Sequence, residues 1–331
     1  MPRVAVVGAT GAAGSTLLRV LHERAFPMSD LRVLASERSE GRAVRVGEAE
    51  LTVRTVSEEA LRGADIVFLA AGGGTARRFA PYIAEHGGVA VDKSSAYRQD
   101  PQVPLVVPEV NAETIAKHRG IIANPNCVAI PLTITLAPLQ RAFGLRQVTL
   151  ATYQAASGAG RALREELEEQ RRADAAGREP RAEVYPHVLH GNVVPGGWAM
   201  EGEDTEEERK VIAETRRVLD MHALPVSITT VRVPVAVAHS AAVFVELEAP
   251  ATSDDARAAL CEAPGIVLVD DPGAQRYPTP RDAEGTDDVH VGRVRRDAGR
   301  ENGIAFFFSA DNLRKGAATN AVQVAELLLA G

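Results

Sequence analysis

The stretch RVAVVGATGAAGSTLLRVLHER, residues 3–24, sets an apolar run, a glycine loop and a periodic segment end to end. RVAVV, 3–7, reads as a buried strand that stops at Gly8. TLLRVLHER, 16–24, has the apolar spacing of a helix. Between them Gly8, Gly11 and Gly14 let the backbone turn tightly and come close to a phosphate. The following helix offers that phosphate its first N–H groups and the positive end of its dipole. The pattern is GxxGxxG, which also fits a tight turn with no ligand. Working outward, LRVLAS (31–36) reads as a second strand. ADIVFLAAGGG (64–74) and GGVAVDKSS (87–95) repeat the strand-then-loop theme. Apolar strands alternating with helices predict a Rossmann-type, doubly wound parallel sheet in an α/β fold. The second strand runs into ASERSEG, 35–41. Ser36, Arg38 and Ser39 offer hydroxyls and a cation, which suit a 2′-phosphate, so NADP is expected over NAD. Glu37 alone would favour a free ribose hydroxyl.

The texture changes after residue 127. VTLATYQ (148–154) and VSITTVRVPVAVAHSAAVFVELEAP (226–250) are rich in β-branched residues and predict a second, α+β domain with a mixed sheet. Residues 161–183 carry 13 charges of both signs and read as a solvated helix with i,i+4 pairs. TEEE, 205–208, is a Thr-x-x-Glu capping box. AATNAVQVAELLLA, 317–330, is a closing helix that needs an apolar surface. The chain has 331 residues and a net charge of −7, which argues against nucleic acid or an anionic membrane as main partner. Two cysteines give neither a disulfide framework nor a zinc spacing, so no metal and a reducing cytoplasm are expected. No apolar run is long enough to span a membrane.

ANPNCVAIPL, 123–132, delivers Cys127 on a polar turn ahead of an apolar segment that reads as a helix. A helix N-terminus favours the thiolate, so Cys127 is a candidate nucleophile; the competing reading is a buried, inert thiol. Cys261, near the end of another helical pattern, fits the inert reading.

NPNC, together with TYQAASGAG, SSAYRQDPQVPLVVPEVN, an Arg232-x6-His239 pair, YPTPRDAEGTDDVHVGRVRRD and ADNLRKGAATNAVQVAELLL, resembles the aspartate-β-semialdehyde dehydrogenase family in order along nearly the whole chain. The resemblance implies NADPH-dependent reduction of β-aspartyl phosphate to aspartate β-semialdehyde and phosphate through a cysteine thioester. The product feeds lysine, threonine and methionine synthesis. It implies Cys127 as nucleophile, His239 as base and proton carrier, and Gln154 as the amide that positions the acyl group. Arg232 would clamp the substrate carboxylate. Asn126, Glu207, Lys210 and Arg98 would complete the substrate contacts, the last two on phosphate. Cofactor contacts fall on Gly8, Thr10, Gly11, Ala12, Ala13, Ser36, Arg38, Ser39, Gly72, Ser157, Gly158 and Asn312. The implied domains are 1–127 with 312–331 for NADP, and 128–311 for catalysis and homodimerisation. Lys93, Val128, Ala236-Val237-Ala238 and VVPGGWAMEGED (193–204) depart from the family's usual residues. Two alternatives are a reductase of another acyl phosphate, such as N-acetyl-γ-glutamyl phosphate, and a non-catalytic homologue that binds nucleotide or protein.

Overall fold

β1 (Arg3–Val7) feeds through the glycine loop into α1 (Ala12–Glu23), which returns the chain to β2 (Asp30–Ala35). A small ribbon, β3 (Ala43–Val46) with β4 (Ala49–Thr52), precedes the short β5 (Arg54–Thr55) and α2 (Glu58–Leu61). Then come β6 (Ile66–Leu69), α3 (Gly73–Glu85), β7 (Val89–Asp92), α4 (Pro108–Asn111) and β8 (Ile121–Ala123). The strands form a six-stranded sheet ordered β5-β2-β1-β6-β7-β8, parallel throughout. Strand order reverses at β1, the place where sheets of this kind bind ligands beyond their carboxyl ends. Alternate residues of β1 enter opposite cores: Val4 and Val6 pack with Leu17, Leu18 and Leu21 of α1, while Ala5 and Val7 pack with Phe79, Ala80 and Ile83 of α3. Both faces are covered, so the strand reads as a continuous apolar run.

The computed structural model describes residues 1–330 and divides into two units: Met1–Asn126 with the residues from Ala317 onward, and Cys127–Gly316. The second unit opens on α5 (Ala129–Phe143), an almost wholly buried helix, and β9 (Leu145–Tyr153). It continues through α6 (Arg161–Ala175), the ribbon β10 (Met200–Glu201) and β11 (Asp204–Thr205), and α7 (Glu206–Val218). Next are β12 (Val226–Thr229), β13 (His239–Leu247), α8 (Ser253–Cys261) and β14 (Ile266–Leu268). The unit closes with α9 (Pro280–Ala283), β15 (Val289–Arg296) and β16 (Gly303–Ala310). Its sheet, ordered β12-β9-β13-β16-β15-β14, is mixed: the three central pairings are antiparallel and the two outer ones parallel. Val243, Val245 and Leu247 of β13 are buried, whereas Ala242, Phe244 and Glu246 on the other face are half-exposed.

The last helix, α10 (Thr319–Ala330), belongs to the first unit. Ala321, Val322, Val324 and Ala325 join the core built on α1. Asn320 Nδ2 donates to the Val106 carbonyl and to Asn124 Oδ1, each at 2.9 Å. Arg24 meets Glu326 through two bonds of 2.8 and 2.7 Å.

Two local expectations are corrected. The charged segment is helical only to Ala175, where its chain end is turned by Gly177 at φ +65°. The apolar run 226–250 supplies strands of the mixed sheet as expected, namely β12 and β13, with the segment 230–238 that carries Arg232 between them. Cys261 is exposed at the end of α8, not buried; the helix turns its apolar face, Ala256 and Leu260, elsewhere.

Candidate active site

In the first unit the glycine loop packs backbone against backbone. A Cβ on Gly8, whose φ is +86°, would lie 2.6 Å from the Ala70 carbonyl oxygen, and one on Gly14 would lie 2.1 Å from that of Gly8. The β1–α1 and β6–α3 loops therefore touch at a place where no side chain fits. Gly11 and Gly72 precede α1 and α3, and neither supplies a side-chain cap. Ala12 and Ala13 are the first helical residues, so their N–H groups have no acceptor within the helix. Thr10 Oγ1 lies 3.2 Å from Ser39 Oγ, joining the loop to the turn after β2, where Ser36 and Arg38 are exposed.

The same unit carries Arg98 and Asn126, both buried. Arg98 Nε donates to the Asn124 carbonyl at 2.9 Å and Nη2 to that of Lys93 at 2.8 Å, which fixes the guanidinium plane. Burial pushes the nearby Asp92 carboxyl up, against two hydrogen bonds from Ser94 and the charge of Arg98.

In the second unit Cys127 is half-buried two residues before α5, whose N-cap is Val128. A Cβ on Gly316 would stand 3.2 Å from Cys127 Cβ, so the backbone of 316 packs directly on the cysteine. Gln154, at the end of β9, is buried and its Nε2 donates to Glu207 Oε1 at 3.3 Å. The capping box is closed by Glu208, which receives Thr205 N–H at 2.7 Å and Thr230 N–H at 2.8 Å. That leaves Glu207, one position along, to face Gln154. Lys210 is half-buried and pairs with Glu206 at 3.2 Å one turn back on α7.

Arg232 and His239 are brought together. Arg232 is 2% exposed and His239 1%. Arg232 Nη1 donates to the Ala155 carbonyl at 2.8 Å, and the Ala155 N–H donates to His239 Nδ1 at 3.0 Å. Burial, then the neighbouring Arg232 charge, pushes the His239 pKa well below the usual histidine value. Asn312 Oδ1 accepts from Ser157 Oγ at 2.9 Å and from Ala238 N–H at 3.0 Å. Both lone-pair directions of that oxygen are used, and Asn312 has only its Nδ2 donors to give to a ligand. Ala238 holds a left-handed φ of 73°, strain stored immediately before His239.

Sequence reasoning missed the aromatic setting of Arg232. Its guanidinium lies 4.5 Å from the Trp198 ring centroid and 5.9 Å from that of Tyr185. Tyr185 is anchored by its hydroxyl, which donates to the Gly196 carbonyl at 2.6 Å. The available signal was compositional: Trp198 is the sole tryptophan in a chain with 4% aromatics. It sits in the 193–204 segment.

Two family models match the chain: residues 3–118 fit the semialdehyde dehydrogenase NAD binding domain, and residues 136–315 fit the semialdehyde dehydrogenase dimerisation domain. An aspartate-semialdehyde dehydrogenase of Aquifex aeolicus is 46% identical over 99% of this chain and 98% of its own. The aspartate semialdehyde dehydrogenase II of Vibrio cholerae, solved in complex with ASA, superposes with a TM-score of 0.96 at 41% identity, covering 100% of this chain and 98% of that one. The Candida albicans enzyme, solved with NADP, superposes with a TM-score of 0.78 at 25% identity over 100% and 99% of the two chains. Identity of this order, running end to end through both units, makes the chain a member of the aspartate-semialdehyde dehydrogenase family.

Proposed function

We propose that the protein is an NADP-dependent aspartate-semialdehyde dehydrogenase, which converts β-aspartyl phosphate to aspartate β-semialdehyde and phosphate through a thioester on Cys127. The observation that carries this reading is the buried pair Arg232–His239 on either side of Ala155, next to Gln154 and its partner Glu207. A guanidinium held out of water is a fork for a carboxylate. The soft thiol of Cys127 is the group able to take the acyl chain and release it again. Gln154 positions the acyl group, and Asn126 and Glu207 bind the rest of the substrate. Arg98 and Lys210 are the cations given to phosphate.

The side-chain-free contact among Gly8, Gly14 and Ala70 suits a dinucleotide, because a pyrophosphate needs backbone N–H groups without side chains in front of them. Gly11, Ala12, Ala13, Thr10 and Gly72 would hold that pyrophosphate. Ser36, Arg38 and Ser39 would take the 2′-phosphate, which makes NADP the preferred cofactor. Ser157, Gly158 and the Asn312 amide would line the nicotinamide end. When bound, NADPH supplies the hydride.

Homodimerisation through the half-exposed face of the second sheet is part of the reading. Tyr153 is 36% exposed there and its ring lies 5.9 Å from that of Phe307, with Phe244 half-exposed on β13. Sedimentation as a monomer at micromolar concentration would remove the dimer. Among the described residues no helix is long and apolar enough to cross a membrane, and the reading places the reaction in the cytoplasm. The activity is tested by phosphate-dependent NADP reduction with aspartate β-semialdehyde against N-acetylglutamate semialdehyde. Equal or better rates with the second aldehyde would overturn the substrate assignment.

A further inference from the structure

Asn320 is completely buried near the start of α10, in a helix that otherwise gives the core Ala321, Val322, Val324 and Ala325. An amide taken out of water costs free energy unless its groups are bonded. Its two Nδ2 protons go to the Val106 carbonyl and to Asn124 Oδ1, each at 2.9 Å. The first acceptor decides the orientation. A carbonyl oxygen can only accept, so the nitrogen of Asn320 must face Val106 and, with it, Asn124. Val106 is itself fixed from both sides by Asn111. The Asn111 Nδ2 donates to the Leu105 carbonyl at 3.0 Å, and the Val107 N–H donates to Asn111 Oδ1 at 2.8 Å.

Asn124 passes the orientation on. It has to show its oxygen to Asn320, so its own Nδ2 is turned the other way and donates to the Pro125 carbonyl at 3.2 Å. The Asn124 N–H donates to the Asp92 carbonyl at 2.7 Å, and the Asn124 carbonyl accepts from Arg98 Nε at 2.9 Å. Every polar group of this buried residue is therefore in use. Arg98 Nη2 holds the Lys93 carbonyl at 2.8 Å, so two backbone carbonyls, one just after β7 and one just after β8, define the plane of the guanidinium. A guanidinium meets an oxyanion through N–H groups that lie in its plane, and a tilted plane misaims them.

We propose that Asn320 is a positioning residue for phosphate: it holds the turn at Asn124 and, through the Asn124 carbonyl, sets the plane in which Arg98 meets the ligand. The proposal rests on the function proposed above and adds to it a residue 196 positions along the chain from the turn it holds. Being completely buried, Asn320 acts through Asn124 and Arg98 and not on the reactants themselves. Without its amide, the Val106 carbonyl and Asn124 Oδ1 lose their donor. Asn124 can then turn its side chain over, and its carbonyl rotates away from Arg98 Nε.

The test follows phosphate-dependent NADP reduction by the full chain with aspartate β-semialdehyde, and compares KM for phosphate with KM for NADP. Asn320→Leu removes the amide and keeps similar bulk. It should raise KM for phosphate about tenfold and leave KM for NADP within about twofold. Asn124→Ala breaks the same relay one link on and should do the same; it decides the matter where Asn320→Leu does not fold. The double variant should be within about twofold of the worse single one, because the two residues act in series. Val322→Ala removes packing from the same helix, so it should lower the thermal midpoint with KM for phosphate unchanged. Exchange of the Arg98 Nε proton, read in ¹⁵N-arginine spectra without any turnover, should be slow in the unmutated protein and at least about tenfold faster in Asn320→Leu. Unchanged KM for phosphate, an equal rise in both KM values, effects that multiply in the double variant, or an equal rise in Val322→Ala overturns the proposal. So does unchanged exchange at Arg98. Absence of phosphate-dependent turnover in the unmutated protein would instead sink the proposed function, and the exchange comparison would then decide the role of Asn320 by itself.

Discussion

Gly158 stands where a single added carbon would press on His239: its Cβ would be 2.8 Å from Nε2, closer than a van der Waals contact allows. The ring cannot retreat freely, because it is buried and tied to the Ala155 N–H. Gly158→Ala should therefore lower kcat/KM by about 10–10²-fold, the scale of a displacement near 1 Å, with little change in thermal midpoint. Wild-type kcat/KM in that variant would show that the space is not used.

Trp198 should tune substrate affinity through Arg232. A cation–π contact at 4.5 Å in a partly desolvated setting is worth about 1 kcal/mol, or roughly fivefold in affinity. Trp198→Leu should raise KM for the aldehyde by about that factor and leave kcat near wild type, and Trp198→Phe should recover most of it. Since the chain has one tryptophan, its fluorescence should also change when the aldehyde is titrated in. A flat titration with unchanged KM in both variants would count against the role.

Glu208 makes stability depend on acid pH. Burial raises its pKa, but hydrogen bonds from Thr205 and Thr230 outweigh that and leave it below the usual glutamate value. A depressed folded pKa means the contribution is fully present above the unfolded value and disappears as pH falls through the folded one. Glu208→Gln can accept at only one of its two former oxygens, so it should cost about 1–3 kcal/mol near neutral pH. The urea midpoints of variant and wild type should converge as the pH is lowered below the carboxylate range. A constant gap at every pH would show that the charge is not involved.

Arg38 should set cofactor choice. A charge-assisted contact to a 2′-phosphate is worth about 1.5–3 kcal/mol, so Arg38→Ala should shrink the NADP-over-NAD ratio of kcat/KM by about 10–100-fold. An unchanged ratio would assign the preference elsewhere.

Cys127→Ala should abolish turnover and keep NADP binding, while Cys261→Ala should keep both, because Cys261 is exposed at a helix end. Mass spectrometry of rapidly quenched enzyme given β-aspartyl phosphate without NADPH should find the acyl group on Cys127. An adduct on another residue would refute the thioester assignment.

The strand–glycine–helix unit was legible because its periodicity is local: RVAVV and TLLRVLHER signal their own structure, and the Thr205–Glu208 box is written in four residues. The Arg232–Ala155–His239 arrangement was not, because it joins backbone groups 77 and 84 residues away from the side chains they hold. No periodicity announces that an alanine amide will meet a histidine ring nitrogen. The exposure of Cys261 was equally hidden, since helical spacing places it on α8 without saying which face meets the core. Trp198 lies between helices in a segment with no pattern at all.

The place of α10 in the core of the first unit has a consequence for synthesis. Val322, Val324 and Ala325 leave the ribosome after everything else that they pack against. A nascent chain whose first 126 residues have emerged has all six strands of the first sheet but no helix over that part of α1 and the sheet. Buried Val and Leu side chains contribute about 1.5–3 kcal/mol each, so this intermediate carries a lasting apolar face. Stalled chains of this length should be cut readily by protease and should bind chaperones, and adding the 317–330 peptide in trans should protect them.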